Sequence, residues 1–217
     1  MADTRKCEQC GTVFTPRREH TRFCSASCRV TWVRAHRGDP AAQVSALSWS
    51  VSAMGEAAGR LSSIQAWNQA RAFGAVSEAV WWVTIVDATM VRFHPGSYDE
   101  VLAGLIPAKR RLLEETLEGL RFVRNQVGGG GYVDFVRPGE GNGDGTGIAG
   151  WTWAPLPEPP LESLQPRGQA WEMSRYQAYQ ARLAGHTIGT TFGRAVAFLQ
   201  LAADRAASLS DTAHAAP

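Results

Sequence analysis

Apolar residues recur every three or four positions from residue 41 to about residue 126, a spacing that predicts amphipathic helices rather than strands. One helix is expected from Arg71 to Phe93, where His94-Pro95-Gly96 ends it. Another is expected to begin at Pro107, because proline suits the first position of a helix, and to end near Val127. The first apolar series comprises Val44, Leu47, Val51, Met54, Leu61, Ile64 and Trp67.

Glycine and proline interrupt this pattern in the C-terminal half of the chain. Residues 128–150 hold ten of the 22 glycines, and such a segment buries too little apolar surface to offset its ordering, so we expect a flexible loop. The extended segment Trp151-Thr152-Trp153 follows, and its indoles could pack on the helices. Two closing helices are predicted over roughly residues 167–184 and 187–207. Residues 210–217 are expected to be a disordered tail.

Residues 1–38 form a separate module that carries all the cysteines. Two cysteine pairs on separate turns can supply the tetrahedral sulfur ligands that Zn²⁺ prefers. The first thirty residues contain no apolar stretch typical of a signal sequence, so we expect a cytoplasmic chain. In such a chain a tight cysteine cluster indicates metal binding rather than disulfides. We therefore predict one Zn²⁺, which is structural because four thiolates leave no position for a catalytic water. The predicted ligands are Cys7, Cys10, Cys24 and Cys28.

The cysteine-bearing module is also the basic part of the chain. Residues 1–38 carry a formal charge of +5, whereas the remainder carries −3. Zinc bound to four thiolates would reduce the charge of the module to about +3. A basic surface of this kind favours contact with nucleic-acid phosphates. The candidate nucleic-acid-binding residues are Arg17, Arg18, Arg22, Arg29, Arg34 and Arg37.

The module resembles a group of small zinc ribbons known from bacterial and phage proteins. The matching residues are Cys7-x2-Cys10-Gly11 with Phe14-x-Pro16, then Phe23-Cys24-Ser25-x2-Cys28-Arg29-x2-Trp32. They look like the treble-clef or FCS-type zinc ribbon, and the match covers about 30 residues. Gly11 is expected to adopt a positive φ, and Ser25 or Ser27 to cap the helix that carries the second cysteine pair.

Asp87 interrupts an otherwise apolar helix face, and an unpaired buried carboxylate would be costly. Its expected partner is Arg121 or Arg124 on the neighbouring helix. Such a pair could simply fix the packing of the helices. Alternatively, Asp87, Arg121, Arg124 and Asn125 could form a polar site for a ligand or phosphate.

Residues 41–209 are similar to an uncharacterised bacterial helical family and, more remotely, to HEPN domains. The first likeness is carried by Ala79-Val80-Trp81-Trp82-Val83, Asp87, Leu120-Arg121-Phe122-Val123-Arg124-Asn125 and Trp151-Thr152-Trp153-Ala154-Pro155-Leu156-Pro157, and the second by Arg124-Asn125 near the end of a long helix. The HEPN likeness implies a helical bundle, a homodimer and, in some members, a metal-independent ribonuclease. The usual histidine is replaced by Gly129 or Gln126, depending on which arginine begins the motif. Arg121, Arg124 and Asn125 would then be the candidate catalytic residues.

The predicted fold class is mainly α, with a small treble-clef-like zinc ribbon over residues 1–38 and a HEPN-like bundle of four or five helices over residues 41–209. We expect a cytoplasmic, bacterial, non-enzymatic binding or regulatory protein whose basic N-terminal module contacts RNA, DNA or a protein partner. The alternatives are a HEPN-type ribonuclease with a displaced or degenerate histidine, and a structural subunit of a larger assembly. No membrane partner is expected, since the longest apolar run is far shorter than a bilayer span.

Overall fold

The computed structural model divides the chain into two compact units, Met1–Ser45 and Ala46–Pro217. We call them the N-terminal unit and the helical body. The described residues are 4–16, 22–25, 27–28, 31, 40–61, 68–128, 134–139, 150–162 and 164–214.

The N-terminal unit contains a short antiparallel hairpin. Strand β1 (Arg5–Lys6) pairs with strand β2 (Val13–Phe14), and Arg5 lies opposite Phe14. The turn between these strands carries the first two cysteines.

Helices dominate the rest of the described chain, and their bounds follow the apolar pattern closely. They are α1 (Pro40–Leu61), α2 (Gln69–Phe93), α3 (Pro95–Ala103), α4 (Pro107–Gly128), α5 (Pro166–Arg182) and α6 (Ile188–His214). The prediction that the chain is mainly α is confirmed, and Pro107 begins α4 as expected. The described residues contain six helices rather than four or five, because Pro95 starts the separate helix α3 directly after α2 ends.

Two boundaries differ from the sequence prediction. The last helix extends to His214, beyond the expected end near residue 207 and into the predicted tail. The predicted flexible loop over residues 128–150 is wrong for residues 134–139, since Val136–Pro138 forms strand β3 there. Phe135 and Val136 are buried in the core, and their burial helps to fix this part of a glycine-rich segment.

Strand β3 pairs antiparallel with β4 (Trp151–Trp153), and Val136 lies opposite Trp153. Both indoles of β4 are fully buried, as predicted. The backbone of Trp153 also bonds to the turn between α5 and α6, because its N–H donates to His186 at 3.0 Å and its carbonyl accepts from Gly185 at 2.8 Å. The indole N–H of Trp153 donates to Thr191 at 2.9 Å. This short hairpin is thereby tied into the bundle by both backbone and side chain.

Helices α4 and α5 approach closely at Gly119. A Cβ atom at this position would lie 2.7 Å from Cδ1 of Leu183 and 3.2 Å from the backbone Cα of Tyr179. Both of these neighbours are fully buried, so they have little room to move. Glycine is therefore required here for packing, although it weakens a helix intrinsically.

No helix among the described residues is long and apolar enough to cross a membrane.

Substitution Gly119→Ala is expected to destabilise the protein by about 1–3 kcal/mol, because the added methyl group overpacks a closed contact. Gly74→Ala is the matched control, since Gly74 lies inside α2 and a Cβ atom added there would have no neighbouring atom within 4 Å. We expect the control to stabilise the protein by roughly 0.5–1 kcal/mol through helix propensity. Urea unfolding of both variants measures the difference, and equal effects of the two substitutions would contradict the packing argument.

Candidate metal centre

The hairpin turn places the first cysteine pair in a compact knuckle. The Cys7 N–H donates to the carbonyl of Thr12 at 2.9 Å, and the Gly11 N–H donates to the carbonyl of Cys7 at 2.8 Å. Gly11 has a φ of 73°, which confirms the predicted left-handed conformation. The turn leaves Cys7 buried and Cys10 exposed.

The second cysteine pair lies at the start of a helical segment. Ser27 and Cys28 are helical, and the hydroxyl of Ser25 accepts a hydrogen bond from the backbone N–H of Cys28 at 3.1 Å. This is the capping contact predicted from the sequence, and Ser25 makes it. Capping fixes the first turn of the helix, and Cys24 and Cys28 then face the same point in space.

The four cysteine sulfurs form one cluster that could hold a metal ion such as zinc. All four Sγ atoms lie within 4.8 Å of one another, and none forms a disulfide. The Cys10–Cys24 and Cys24–Cys28 sulfurs are each 3.6 Å apart. A tetrahedron with zinc–sulfur bonds of about 2.3 Å has sulfurs about 3.8 Å apart, so the donor set fits a zinc ion in both chemistry and spacing.

The thiols of the cluster differ in acidity. Burial alone would raise the pKa of Cys7, but hydrogen bonds from the backbone of Cys24, Cys10 and Gln9 outweigh it and lower this pKa to about 6. The pKa of Cys24 is instead raised to about 12. The main cause is the hydrogen bond of its thiol with the Cys28 sulfur, and the next is its hydrogen bond with the Cys10 sulfur. The lowered pKa favours the thiolate form of Cys7 at neutral pH, whereas Cys24 keeps its proton until a metal ion replaces it.

A charged clamp joins the knuckle to the second cysteine pair. Arg22 donates from Nε to Oε1 of Glu8 at 2.6 Å and from Nη2 to Oε2 at 2.5 Å. The Glu8 backbone N–H also donates to the Arg22 carbonyl at 3.2 Å. The sequence pattern assigned Arg22 to nucleic-acid contact and gave Glu8 no role. The position of Glu8 directly after Cys7 was the only available signal, and spacing alone does not identify a partner fourteen residues away.

The other predicted contact residues of this unit lie outside the described residues. They are Arg17, Arg18, Arg29, Arg34 and Arg37.

The second candidate site, around Asp87, is a buried ion pair. Asp87 is 1% exposed, and its Oδ2 accepts from Nε of Arg121 at 2.8 Å and from Nη2 at 2.5 Å. The hydroxyl of Tyr98 donates to the other carboxylate oxygen at 3.0 Å. Burial and the Asp87 carboxylate raise the pKa of Tyr98, so this hydroxyl stays protonated. Arg121 also contacts Glu118, and the two carboxylates raise the pKa of Arg121 against the opposing effect of burial.

The remaining members of the predicted polar cluster have other partners. The guanidinium of Arg124 lies 5.2 Å from the ring centre of Trp81 in a cation–π contact. Asn125 donates to Glu172 of α5 at 2.9 Å. The structure therefore joins Asp87 to Arg121, with Tyr98 as a partner that the sequence pattern did not reveal. It does not show Arg124 or Asn125 bonded to this pair.

Comparisons with known protein families, curated proteins and solved structures found no match. The chain has a four-cysteine cluster and a mainly helical body, and these features identify no family.

Zinc uptake is expected to release protons, because Cys24 must lose the proton that its raised pKa retains. Each proton released strengthens apparent binding by about tenfold for every unit of rising pH. Competition titrations with a chromogenic chelator across the neutral range measure this slope. Cys24→Ser is expected to bind zinc more weakly and with a shallower slope. Zinc affinity that does not change with pH would contradict the thiol assignment.

Substitution Asp87→Ala is expected to destabilise the body by about 3 kcal/mol, because it leaves the Arg121 guanidinium without its buried counterion. The matched control is Glu78→Ala, which removes a carboxylate from an exposed ion pair with Arg60. The control should cost less than about 1 kcal/mol. Denaturant unfolding compares the two, and similar losses would show that Asp87 is not held in a buried pair.

Proposed function

We propose that Cys7, Cys10, Cys24 and Cys28 bind one structural Zn²⁺, and that the N-terminal unit is a non-enzymatic binding module built on this ion. The four sulfurs within 4.8 Å of one another are the observation that carries the proposal. Four thiolates complete the tetrahedral shell of zinc and leave no position for a substrate or a water. The metal would supply folding energy, on the order of 10 kcal/mol, to a unit too small to depend on its apolar residues.

The four cysteines would contribute unequally to zinc binding. Cys7 is the buried ligand on the knuckle, and its lowered pKa favours the thiolate before the metal arrives. The Glu8–Arg22 clamp holds the knuckle against the segment that carries Cys24, and Ser25 orients the helical turn of Cys28. These contacts position two ligand pairs and neutralise one arginine. We therefore count Arg22 as part of the scaffold as well as a candidate contact.

Nucleic acid is the partner that the charge of the module favours. With zinc on its four thiolates, residues 1–38 would carry about +3, in contrast to −3 over the rest of the chain, so phosphate would be attracted to the N-terminal unit. This contact is tested at Arg17 and Arg18 rather than at Arg22, because Arg22 forms an ion pair with Glu8. A protein partner is the alternative for the same surface.

The nuclease interpretation gains no support from the helical body. Arg121 is one of its three candidate residues, and its guanidinium binds Asp87 and Glu118. These contacts favour a structural role, since an arginine that holds a scissile phosphate must present free donors to it. Cleavage of RNA by the purified protein, abolished in Arg124→Ala, would reverse this preference.

The proposal is tested with the full-length protein, labelled single-stranded RNA and duplex DNA. Metal analysis is expected to return one zinc per chain. Arg17→Glu combined with Arg18→Glu should weaken nucleic-acid binding by about tenfold or more and reduce its salt dependence. The matched control combines Arg71→Glu with Arg167→Glu, which makes the same charge change on exposed positions of the helical body.

Equal losses in the two double variants, or salt-independent binding, would contradict a contact made by the N-terminal unit. Freshly purified protein that contains no zinc would contradict the metal assignment itself. If zinc is present and neither nucleic acid binds, a protein captured by the wild type but not by Arg17→Glu with Arg18→Glu would support the alternative partner.

A further inference from the structure

A cavity of about 490 Å³ lies in the helical body between α3, α4 and α6, well away in sequence from the cysteine cluster. Its volume falls within the range of small-molecule sites, roughly 300–1,000 Å³. The apolar residues on which the argument depends are Leu105, Leu113, Phe198 and Leu201, and two cations, Lys109 and Arg194, also line it.

The floor of this cavity is buried and its rim is open. Leu113 and Phe198 are buried, and the Phe198 ring packs edge-on against Tyr98 with ring centres 5.0 Å apart. Leu201 is 56% exposed, so an apolar side chain stands at the mouth of the cavity rather than in the core. An apolar ligand could therefore enter without unfolding a helix, and it would gain from covering Leu201.

Arg194 is poorly satisfied by its protein neighbours. In the described part of the chain, its hydrogen bond runs from Nη1 to the hydroxyl of Thr116 at 3.3 Å. The guanidinium has five N–H donors, and no carboxylate of the described residues pairs with it. Three of the four other partly buried arginines of the described body, Arg121, Arg175 and Arg182, each contact a carboxylate. The fourth, Arg124, lies over the ring of Trp81 instead. Among the described residues, Arg194 thus presents to the cavity a positive charge that no carboxylate pairs with.

A second, polar cavity of about 280 Å³ shares Leu112 and Arg194 with the first. Its lining includes His186, Thr187 and Thr190, whose side chains offer hydrogen-bonding groups. Arg194 therefore lies where an apolar cavity meets a polar one. A ligand with an anionic head and an apolar tail matches this junction in both of its parts.

We propose that the cavity binds a fatty acid, with the carboxylate on Arg194 and the alkyl chain against Leu105, Phe198 and Leu201. Guanidinium and carboxylate can form two parallel hydrogen bonds, a geometry that favours this head group. Along α6, Arg194 and Leu201 are about 10 Å apart, the length that a medium alkyl chain can cover. Lys109 adds a second positive charge to the lining. This binding is independent of zinc and of any nucleic acid.

The test measures decanoate binding to the full-length protein by calorimetry, with decanol and decylamine as probes of the head group. Decanoate is expected to bind more tightly than decanol, and decylamine more weakly than either. Arg194→Gln should weaken decanoate binding by about tenfold or more and leave decanol binding unchanged. The matched control is Arg167→Gln, which removes an exposed arginine outside both cavities.

Leu201→Gln tests the tail without disturbing the fold, because this side chain is already exposed. It should weaken both decanoate and decanol, whereas Leu209→Gln, at a similarly exposed leucine of α6 outside the cavity lining, should weaken neither. Absence of decanoate binding would overturn the proposal. Equal binding of decanoate and decanol, unchanged binding in Leu201→Gln, or tighter binding of decyl phosphate than of decanoate would also overturn it.

Discussion

A charge inside an apolar bundle must be paired, and the pairing of Asp87 links the helices of the body. Asp87 lies on α2, its hydroxyl partner Tyr98 on α3, and its guanidinium partner Arg121 on α4. Glu118 then extends the chain of contacts from Arg121 to Arg175 on α5. Four helices thus meet through one set of hydrogen bonds and ion pairs. Hydrophobic packing alone tolerates sliding between helices, whereas such a network is satisfied in one register, which makes it a source of specificity.

Much of this architecture could be read from the sequence, because the responsible forces are local. Helical periodicity and Pro107 located α2 and α4, and the two cysteine spacings located the candidate metal ligands. The need to pair Asp87 limited its partner to two arginines, and the structure selects Arg121. Choosing between them required knowing which face of α4 meets α2, and that depends on packing among all the helices rather than on either segment.

The features that the sequence did not predict have a different physical origin, since each depends on contacts between distant segments. Strand β3 forms inside a glycine-rich stretch because Phe135 and Val136 pack beside Trp153. Local residue propensities do not predict such a contact between distant segments. The Glu8–Arg22 clamp is a long-range contact of the same kind. The cavity beside Arg194 could not be predicted for a further reason. It is a space between three helices, and its lining depends on how these helices pack. A sequence displays residues but not the spaces between them.

The hydrogen bond beside the β3–β4 pairing has a consequence for the length of chain that can lie between the two strands. The Gly139 N–H donates to the carbonyl of Gly150 at 2.5 Å, so the two ends of the intervening segment are held together at its base. The entropy of closing a loop grows only with the logarithm of its length once its ends are fixed. Each doubling of the number of residues between Gly139 and Gly150 would therefore add only about 0.6 kcal/mol to the entropic cost of closing the hairpin. The hairpin itself thus constrains the length of chain between these two glycines only weakly, and an engineer could use this freedom to graft a reporter domain there.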